Sequence, residues 1–170
     1  MRMWLGIAAL VIVLDQISKQ LASAMLQLHE SVAVLPFFDL TLAQNTGAAF
    51  SFLADSAGWQ RWFFVVLALA VSIVIVRWLQ RLAPGERWHG VALSLILGGA
   101  LGNAVDRILF GHVVDFIDVY YAAGTCLPLF ASVPMGDSLQ CHWPAFNLAD
   151  SAISVGAVMM VVDSFRRGKS

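Results

Sequence analysis

The sequence predicts a membrane protein, mainly α-helical, with four transmembrane helices and a small extracytoplasmic β-sheet cradle. Hydrophobic residues make up 59% of its 170 residues and charged residues only 12%, against about 45–50% and about 25% in ordinary soluble domains. Four apolar runs each approach the ~20 residues that a bilayer requires. No long polar or repeated segment separates these runs, so residues 1–170 are expected to form a single domain.

The first predicted span covers residues 4–26 and contains two charged side chains. Asp15 and Lys19 stand four residues apart, so they share a helix face and can form an ion pair. A cleaved signal peptide is the alternative, with Arg2 as its positive start and residues 22–24 as its cleavage box. Because the apolar face continues past both charges and the positive start is slight, we favour a retained helix.

Residues 29–56 differ from the spans because they combine turn residues with short runs of Val, Leu, Thr and Phe. The runs at 32–35 and 39–42 predict short strands. Neither run can cross a bilayer, so we expect a small sheet that rests on the membrane surface. Asn45 and Gly47 lie at the end of this element, among small residues where a backbone can approach a ligand closely.

Three further spans are predicted at residues 62–82, 88–110 and 146–165, and residues 111–143 are predicted to be a long outer loop. Basic residues are concentrated at the chain start, in the turn after the second span and in the tail. By the positive-inside rule, both termini are therefore expected in the cytoplasm. The tryptophans fall at the span ends, as interfacial aromatic belts do.

The third span carries polar side chains that are costly in hydrocarbon, so their default interpretation is functional. Asn103, Asp106 and Arg107 stand at positions i, i+3 and i+4 and share one helix face. Gly98 and Gly102 form a small-xxx-small pair that allows another helix to come close. We expect an ion pair between Asp106 and Arg107, although Arg107 could also bind a lipid ester or a substrate carbonyl.

Two carboxylates are the candidates for chemistry. Asp115 follows the outer end of the third span, and Asp150 lies one turn into the outer end of the fourth. Two carboxylates in a poorly hydrated site share one proton, so one can accept a proton from water while the other donates one to a carbonyl oxygen. The structural alternative is that each is only a helix cap or an ion-pair partner. Asn147 could likewise be only an N-cap.

Several other classes of function are disfavoured. The four histidines have no metal-type spacing, so neither a metal nor a cofactor is expected. The net charge of −1 gives no indication of a nucleic-acid partner. A proton-coupled transporter is the runner-up, and a non-catalytic lipid-binding or assembly protein is a third hypothesis. The second span has almost no polar residues and the acidic pair clusters at one face, which favours an enzyme.

Five motifs together resemble bacterial lipoprotein signal peptidase (signal peptidase II), a family of membrane aspartyl proteases. They are Asp15-Gln16-x-Ser18-Lys19, NTGAAFSF at 45–52, GGALGNAVDR at 98–107, GHVVDFID at 111–118 and PAFNLADSAI at 144–153. The resemblance implies cleavage of diacylglyceryl-modified prolipoproteins on the amino side of the lipidated cysteine. It also implies a site near the periplasmic face of the inner membrane and inhibition by globomycin. We expect a monomer in contact with membrane lipid.

The resemblance also assigns roles to individual residues. It places the catalytic pair at Asp115 and Asp150, and it makes Asp118 a polar flank of the motif. The positions expected to shape the site or hold substrate are Asn45, Gly47, Asn103, Arg107 and Asn147, and those expected to give structural support are Asp15, Lys19 and Asp106.

Residues 121–142 depart from the family, which usually has a short loop at this place. Cys126 and Cys141 are the only cysteines and both lie in this segment, so an oxidising periplasm predicts a disulfide between them. Two reduced thiols in a floppy insertion are the alternative. The apolar residues of this segment, Leu127, Leu129, Phe130, Val133 and Met135, are expected either against the outer leaflet or over the cleft as a tethered flap.

Overall fold

The computed structural model describes residues 1–47, 58–136 and 138–167. This part of the chain forms four long helices and five strands, and all four helices are long and apolar enough to cross a membrane. The predicted fold class is therefore confirmed. Residues 48–56 of the predicted outer element, which include most of the NTGAAFSF motif, lie outside the described residues.

The elements in chain order are α1 (Arg2–Met25), β1 (Ser31–Leu35), β2 (Phe38–Asn45), α2 (Trp59–Gln80), α3 (Arg87–Phe110), β3 (Val113–Ala123), β4 (Ala131–Met135), β5 (Ser138–His142) and α4 (Leu148–Arg167).

α3 is the central helix of the bundle, and α1, α2 and α4 all pack against it. In its most apolar stretch 56% of the residues are buried, whereas the share is 22% or less in the corresponding stretches of the other three helices. The close approach predicted for its glycines is present. A Cβ at Gly98 would stand 2.7 Å from the Ala8 carbonyl oxygen, and one at Gly102 would stand 2.8 Å from Asp15 Oδ2. Larger side chains would therefore force α1 away from the polar face of α3.

All strands pair antiparallel in one sheet of order β1-β2-β3-β5-β4. β1 and β2 confirm the two strands predicted at 32–35 and 39–42. The long outer loop predicted for residues 111–143 is wrong, because three of the five strands lie there. β3 is rich in β-branched and aromatic residues, but its partners are distant in sequence. Pro134 lies on β4 at the sheet edge, where proline is tolerated.

The chain after β5 continues to follow β3 until α4 begins. The Trp143 N–H donates a 2.8 Å hydrogen bond to the Val119 carbonyl, and the Phe146 N–H donates one of 3.0 Å to the Ile117 carbonyl. Gly111, with φ of +85°, ends α3 in the left-handed conformation that L residues rarely adopt and turns the chain into β3. These connections place the start of α4 beside the start of β3, where Asp115 lies.

Candidate functional site

Asp150 is fixed by the way α4 begins. Asn147 is the residue before the helix, and its Oδ1 accepts a 2.9 Å hydrogen bond from the Asp150 N–H. The Asn147 N–H in turn donates to Asp150 Oδ2 at 3.3 Å. This reciprocal pattern is a capping box, and it leaves the carboxylate at a helix N-terminus, where the helix dipole favours negative charge. The predicted cap is therefore present, and it also positions a candidate catalytic group.

Asn147 connects the two carboxylates. Its Nδ2 donates to Asp115 Oδ1 at 2.7 Å, and Asn45 Nδ2 donates to Asp115 Oδ2 at 3.2 Å. Asn103 Nδ2 donates to Asp150 Oδ1 at 2.8 Å. The structure thus gathers residues from β2, α3, β3 and the start of α4 around one pair of carboxylates. In the part of the chain that the structure describes, amide groups rather than cations hold this pair in place.

The environment of Asp115 favours its protonated form. This side chain lies on β3, outside the spanning helices, and is only 2% exposed. Burial, followed by the negative charge of Asp150, raises the pKa of Asp115 from 3.8 to about 7. The hydrogen bonds from Asn45 and Asn147 act in the opposite direction without cancelling this rise. Asp115 therefore exchanges its proton near neutral pH, as a general acid must.

A second polar layer lies deeper, between the helices. Lys19 Nζ is 2.8 Å from Asp15 Oδ2 and 2.8 Å from Asp106 Oδ2, and it donates to Asn103 Oδ1 at 2.9 Å. The three donors of the ammonium group thus meet three acceptors. The predicted pair of Asp15 with Lys19 is confirmed, whereas the predicted ion pair of Asp106 with Arg107 is wrong. Adjacent helical residues point in different directions, so Asp106 meets Lys19 of α1 instead.

Asp15 links α1 to the start of α4 as well. Its Oδ1 accepts a 2.9 Å hydrogen bond from the Ala149 N–H, one residue before Asp150. Gln16, the next residue of α1, donates from Nε2 to Asp106 Oδ1 at 2.7 Å. The N-terminal helix is thus joined to both α3 and α4, and the supporting role of Asp15 stays a prediction.

Arg107 connects α3 to the chain that follows β2. Its Nη2 donates to the Gly47 carbonyl at 2.6 Å, and its guanidinium carbon lies 4.9 Å from the ring centroid of Phe64. The Gly47 N–H donates to Asn45 Oδ1 at 3.0 Å, which orients the amide that contacts Asp115. Among the described residues, the buried Nε of Arg107 has no hydrogen-bond partner.

Asp118, predicted to be a polar flank of the motif, contacts residues of two other strands. Asp118 is 8% exposed, and its two carboxylate oxygens lie 2.9 and 3.0 Å from His142 Nδ1. Thr41 Oγ1 also donates to Asp118 at 3.1 Å. The contact between Asp118 and His142 was not predicted, because the sequence does not show that β3 pairs with β5. One feature of the sequence indicates that Asp118 has partners of its own. It stands three residues after Asp115, so on a strand its side chain lies on the face opposite to that of Asp115.

Comparisons with known proteins cover nearly the whole chain. Residues 7–166 match the family model described as Signal peptidase (SPase) II. A lipoprotein signal peptidase of Pseudomonas paraeruginosa is 54% identical over 168 residues, covering 98% of this chain and 90% of its own length. One of Aeromonas hydrophila is 48% identical over 167 residues, with shares of 98% and 90%. A solved structure described as a bacterial membrane enzyme has a TM-score of 0.77 and 29% identity, covering 98% of this chain and 89% of that one.

Proposed function

This chain belongs to the signal peptidase II family, and we propose that it is an aspartic endopeptidase that removes the signal peptides of diacylglyceryl-modified prolipoproteins. Cleavage occurs on the amino side of the lipidated cysteine. The observation that carries this proposal is the contact of Asn147 with both Asp115 and Asp150. Within the described residues neither carboxylate has an ion-pair partner.

The mechanism needs only the two carboxylates and water. Asp150 accepts a proton from a water molecule, whose oxygen attacks the scissile carbonyl carbon. Protonated Asp115 donates its proton to the carbonyl oxygen, which gives a neutral tetrahedral diol. When the diol collapses, Asp150 donates its proton to the leaving amine and Asp115 takes one back from a hydroxyl. The C–N bond breaks, and the pair again carries one proton without a covalent intermediate.

The surroundings of the pair suit a lipidated substrate. Asp115 and Asp150 lie where α4 begins and α3 has just ended, at the end of the bundle that adjoins the sheet. Diacylglyceryl chains can therefore stay in lipid while the peptide bond reaches the carboxylates. The guanidinium of Arg107, which contacts the Gly47 carbonyl at 2.6 Å, lies beside this pair and supports binding of a substrate carbonyl there. We propose that residues 1–170 act as one domain and as a monomer, because one chain already brings both carboxylates and the amides that donate to them together.

The direct test is cleavage of a synthetic diacylglyceryl-modified prolipoprotein peptide by the purified protein. We expect a single cut before the lipidated cysteine, which mass spectrometry of the products locates, and we expect globomycin to prevent it. The same peptide without its diacylglyceryl group is the matched control and should be cut far more slowly. Equal cleavage of both peptides, or a cut elsewhere, would refute the proposed specificity.

We also propose that this multi-pass membrane protein lies in the bacterial inner membrane, with both termini in the cytoplasm and the site near the periplasmic face. The distribution of basic residues supports this orientation, as does a disulfide that needs an oxidising compartment. Reporter fusions after Ser170 and within residues 83–87 should report the cytoplasm. A fusion near Asp137 should report the periplasm, and an inverted pattern would exclude this orientation.

A further inference from the structure

A short loop within residues 121–142 is attached to the sheet at several points. Cys126 and Cys141 are joined by a disulfide, as predicted, and the Leu127 N–H donates a 2.8 Å hydrogen bond to the Tyr121 hydroxyl. The Phe130 ring packs edge-on against the Tyr121 ring, with their centroids 5.1 Å apart. These contacts hold the loop in one place on the sheet. We call residues 126–130 the pinned loop.

The pinned loop lies on the face of the sheet that carries Asp115. Side chains two residues apart share a strand face, so Asp115 and Tyr121 of β3 lie on the same face. Cys141 stands opposite Tyr121 in the register of β3 and β5 and therefore shares that face. The disulfide places Cys126 there too. Because Asp115 contacts Asn147 at the start of α4, this is the face directed toward the helices and the bilayer around them.

The same face exposes apolar side chains. Leu127 and Leu129 are each 62% exposed, and Val119 and Trp143 are each 37% exposed. No charged or histidine side chain occurs from residue 119 to residue 136. An uncharged surface of leucines with a tryptophan beside it has the composition of a membrane-interface contact.

The backbone of the pinned loop supports the same interpretation. Leu129 has φ of +76°, a conformation that is uncommon for residues other than glycine. The loop thus holds a leucine in a strained conformation with its side chain exposed, although a glycine would fit that backbone without strain. Both the strained backbone and the exposure of an apolar side chain to water raise the free energy of the folded protein. Burial of the Leu129 side chain in lipid would offset this increase.

We propose that Leu127 and Leu129 insert into the bilayer leaflet next to the sheet and contact phospholipid acyl chains. The four helices already expose apolar side chains to lipid, and the pinned loop extends that contact beyond the end of α3. The sheet is then held at the membrane both by the helices and by this loop. Because β3 carries Asp115, the loop also fixes the depth of the carboxylate pair relative to the membrane surface.

The chain provides matched control positions. Val133 and Met135 on β4 are 47% and 58% exposed, so they resemble the two leucines in exposure and apolarity. Val133 pairs with Gln140 in the strand register, and residue 140 lies on the face opposite to Cys141. Val133 and Met135 therefore belong to the same hairpin region but point away from the helices. Val66 of α2, 63% exposed on a spanning helix, is the positive control.

The experiment is site-specific photocrosslinking of the full chain. A benzophenone amino acid is placed singly at Leu127, Leu129, Val133 or Val66, and each protein is reconstituted in nanodiscs of phosphatidylethanolamine and phosphatidylglycerol. After irradiation, intact-mass spectrometry counts phospholipid adducts. We expect adducts at Leu127 and Leu129 at a yield similar to that at Val66, and a yield at least about tenfold lower at Val133. Alkylation without reduction verifies the disulfide in every variant, so misfolded protein is recognised.

The outcomes separate lipid from other occupants. Adducts of a second copy of the chain at Leu127 or Leu129, or no lipid adduct at either, would overturn the proposal, as would equal yields at Val133. As a second variant, Leu127→Asp with the benzophenone at Leu129 should lower the lipid yield, whereas Met135→Asp should not. These readouts require no peptidase activity, so they remain decisive even if the proposed cleavage reaction is not observed.

Discussion

The two acidic pairs of this protein belong to one hydrogen-bonded network but have different partners. Asp15 and Asp106 lie between the helices, and both contact Lys19 at 2.8 Å. Asp115 and Asp150 lie at the junction of the sheet and the helices, where the hydrogen-bond donors found among the described residues are amide groups. The two pairs therefore differ in the kind of group that holds them: an ammonium group contacts both carboxylates of the first pair, whereas amides donate to those of the second.

Asn103 is the boundary between the two layers. Its Oδ1 accepts a hydrogen bond from Lys19 at 2.9 Å, which orients the amide, and its Nδ2 then donates to Asp150 at 2.8 Å. The deeper layer thus sets the direction of a donor in the outer one. Changes in the deeper layer should act mainly on stability, with smaller effects on activity, and changes in the outer layer should act mainly on activity.

The largest effect is expected from Asp115→Asn or Asp150→Asn. Each change removes a proton-transfer group while keeping the size of the side chain, so turnover should fall by about 10²–10⁴-fold or more. Peptide cleavage by purified, correctly folded variants measures this. Asp118→Asn is the matched control, because Asp118 lies on the same strand and pairs with His142, and it should retain most activity. Substantial turnover by either of the first two variants would contradict the catalytic assignment.

Lys19→Met should have the largest effect on stability. It leaves Asp15 and Asp106 buried at 0% and 1% exposure without their cation, and breaking a buried ion pair in this way costs about 3–5 kcal/mol. Thermal unfolding in detergent measures the loss. Asp15→Asn keeps the pair of Lys19 with Asp106, so it should destabilise less and should lower activity less completely than Asp115→Asn. If Asp15→Asn abolished turnover in protein that still folds and binds substrate, the deeper layer would have a direct catalytic role.

The raised pKa of Asp115 predicts a stability difference that depends on pH. An acid whose pKa is raised in the folded state costs stability when it ionises. This cost is absent below the unfolded pKa near 3.8, grows as the pH rises and is complete above about 7. Asp115→Asn removes the cost, so above pH 7 the variant should unfold at a higher temperature than the wild type, and this advantage should vanish toward pH 4. A difference that does not vary with pH would show that ionisation of Asp115 carries no such penalty.

The smallest effect on the rate of peptide cleavage is expected from changes at the disulfide, which lies outside both polar layers. Replacing Cys126 and Cys141 together by serine should lower the free energy of unfolding by about 2–4 kcal/mol. Cleavage of a short lipopeptide in detergent should remain near the wild-type rate, because neither cysteine touches the carboxylate network. Mass spectrometry of unreduced, alkylated wild-type protein provides the control. Two freely alkylated cysteines in wild-type protein would refute the bridge.

The sequence by itself determined the features that depend on local spacing or on composition. Hydropathy over some twenty residues places the helices, because a bilayer sets both their length and their polarity. The pair of Asp15 with Lys19 follows from their i, i+4 spacing, and the disulfide follows from the presence of only two cysteines in one segment. The two carboxylates stand out because ionisable groups near hydrocarbon are rare.

Only the tertiary structure decided which distant groups meet. Asp106 pairs with Lys19 rather than with its neighbour Arg107, because the packing of α1 against α3 brings an ammonium group to that face. Asp118 meets His142 because β3 pairs with β5. The same pairing explains why the segment predicted as a long loop forms part of the sheet. Asn147 contacts both carboxylates because the chain after β5 follows β3 back to α4. Sequence periodicity shows which face of a helix or strand is apolar, but strand register and helix packing determine what that face contacts.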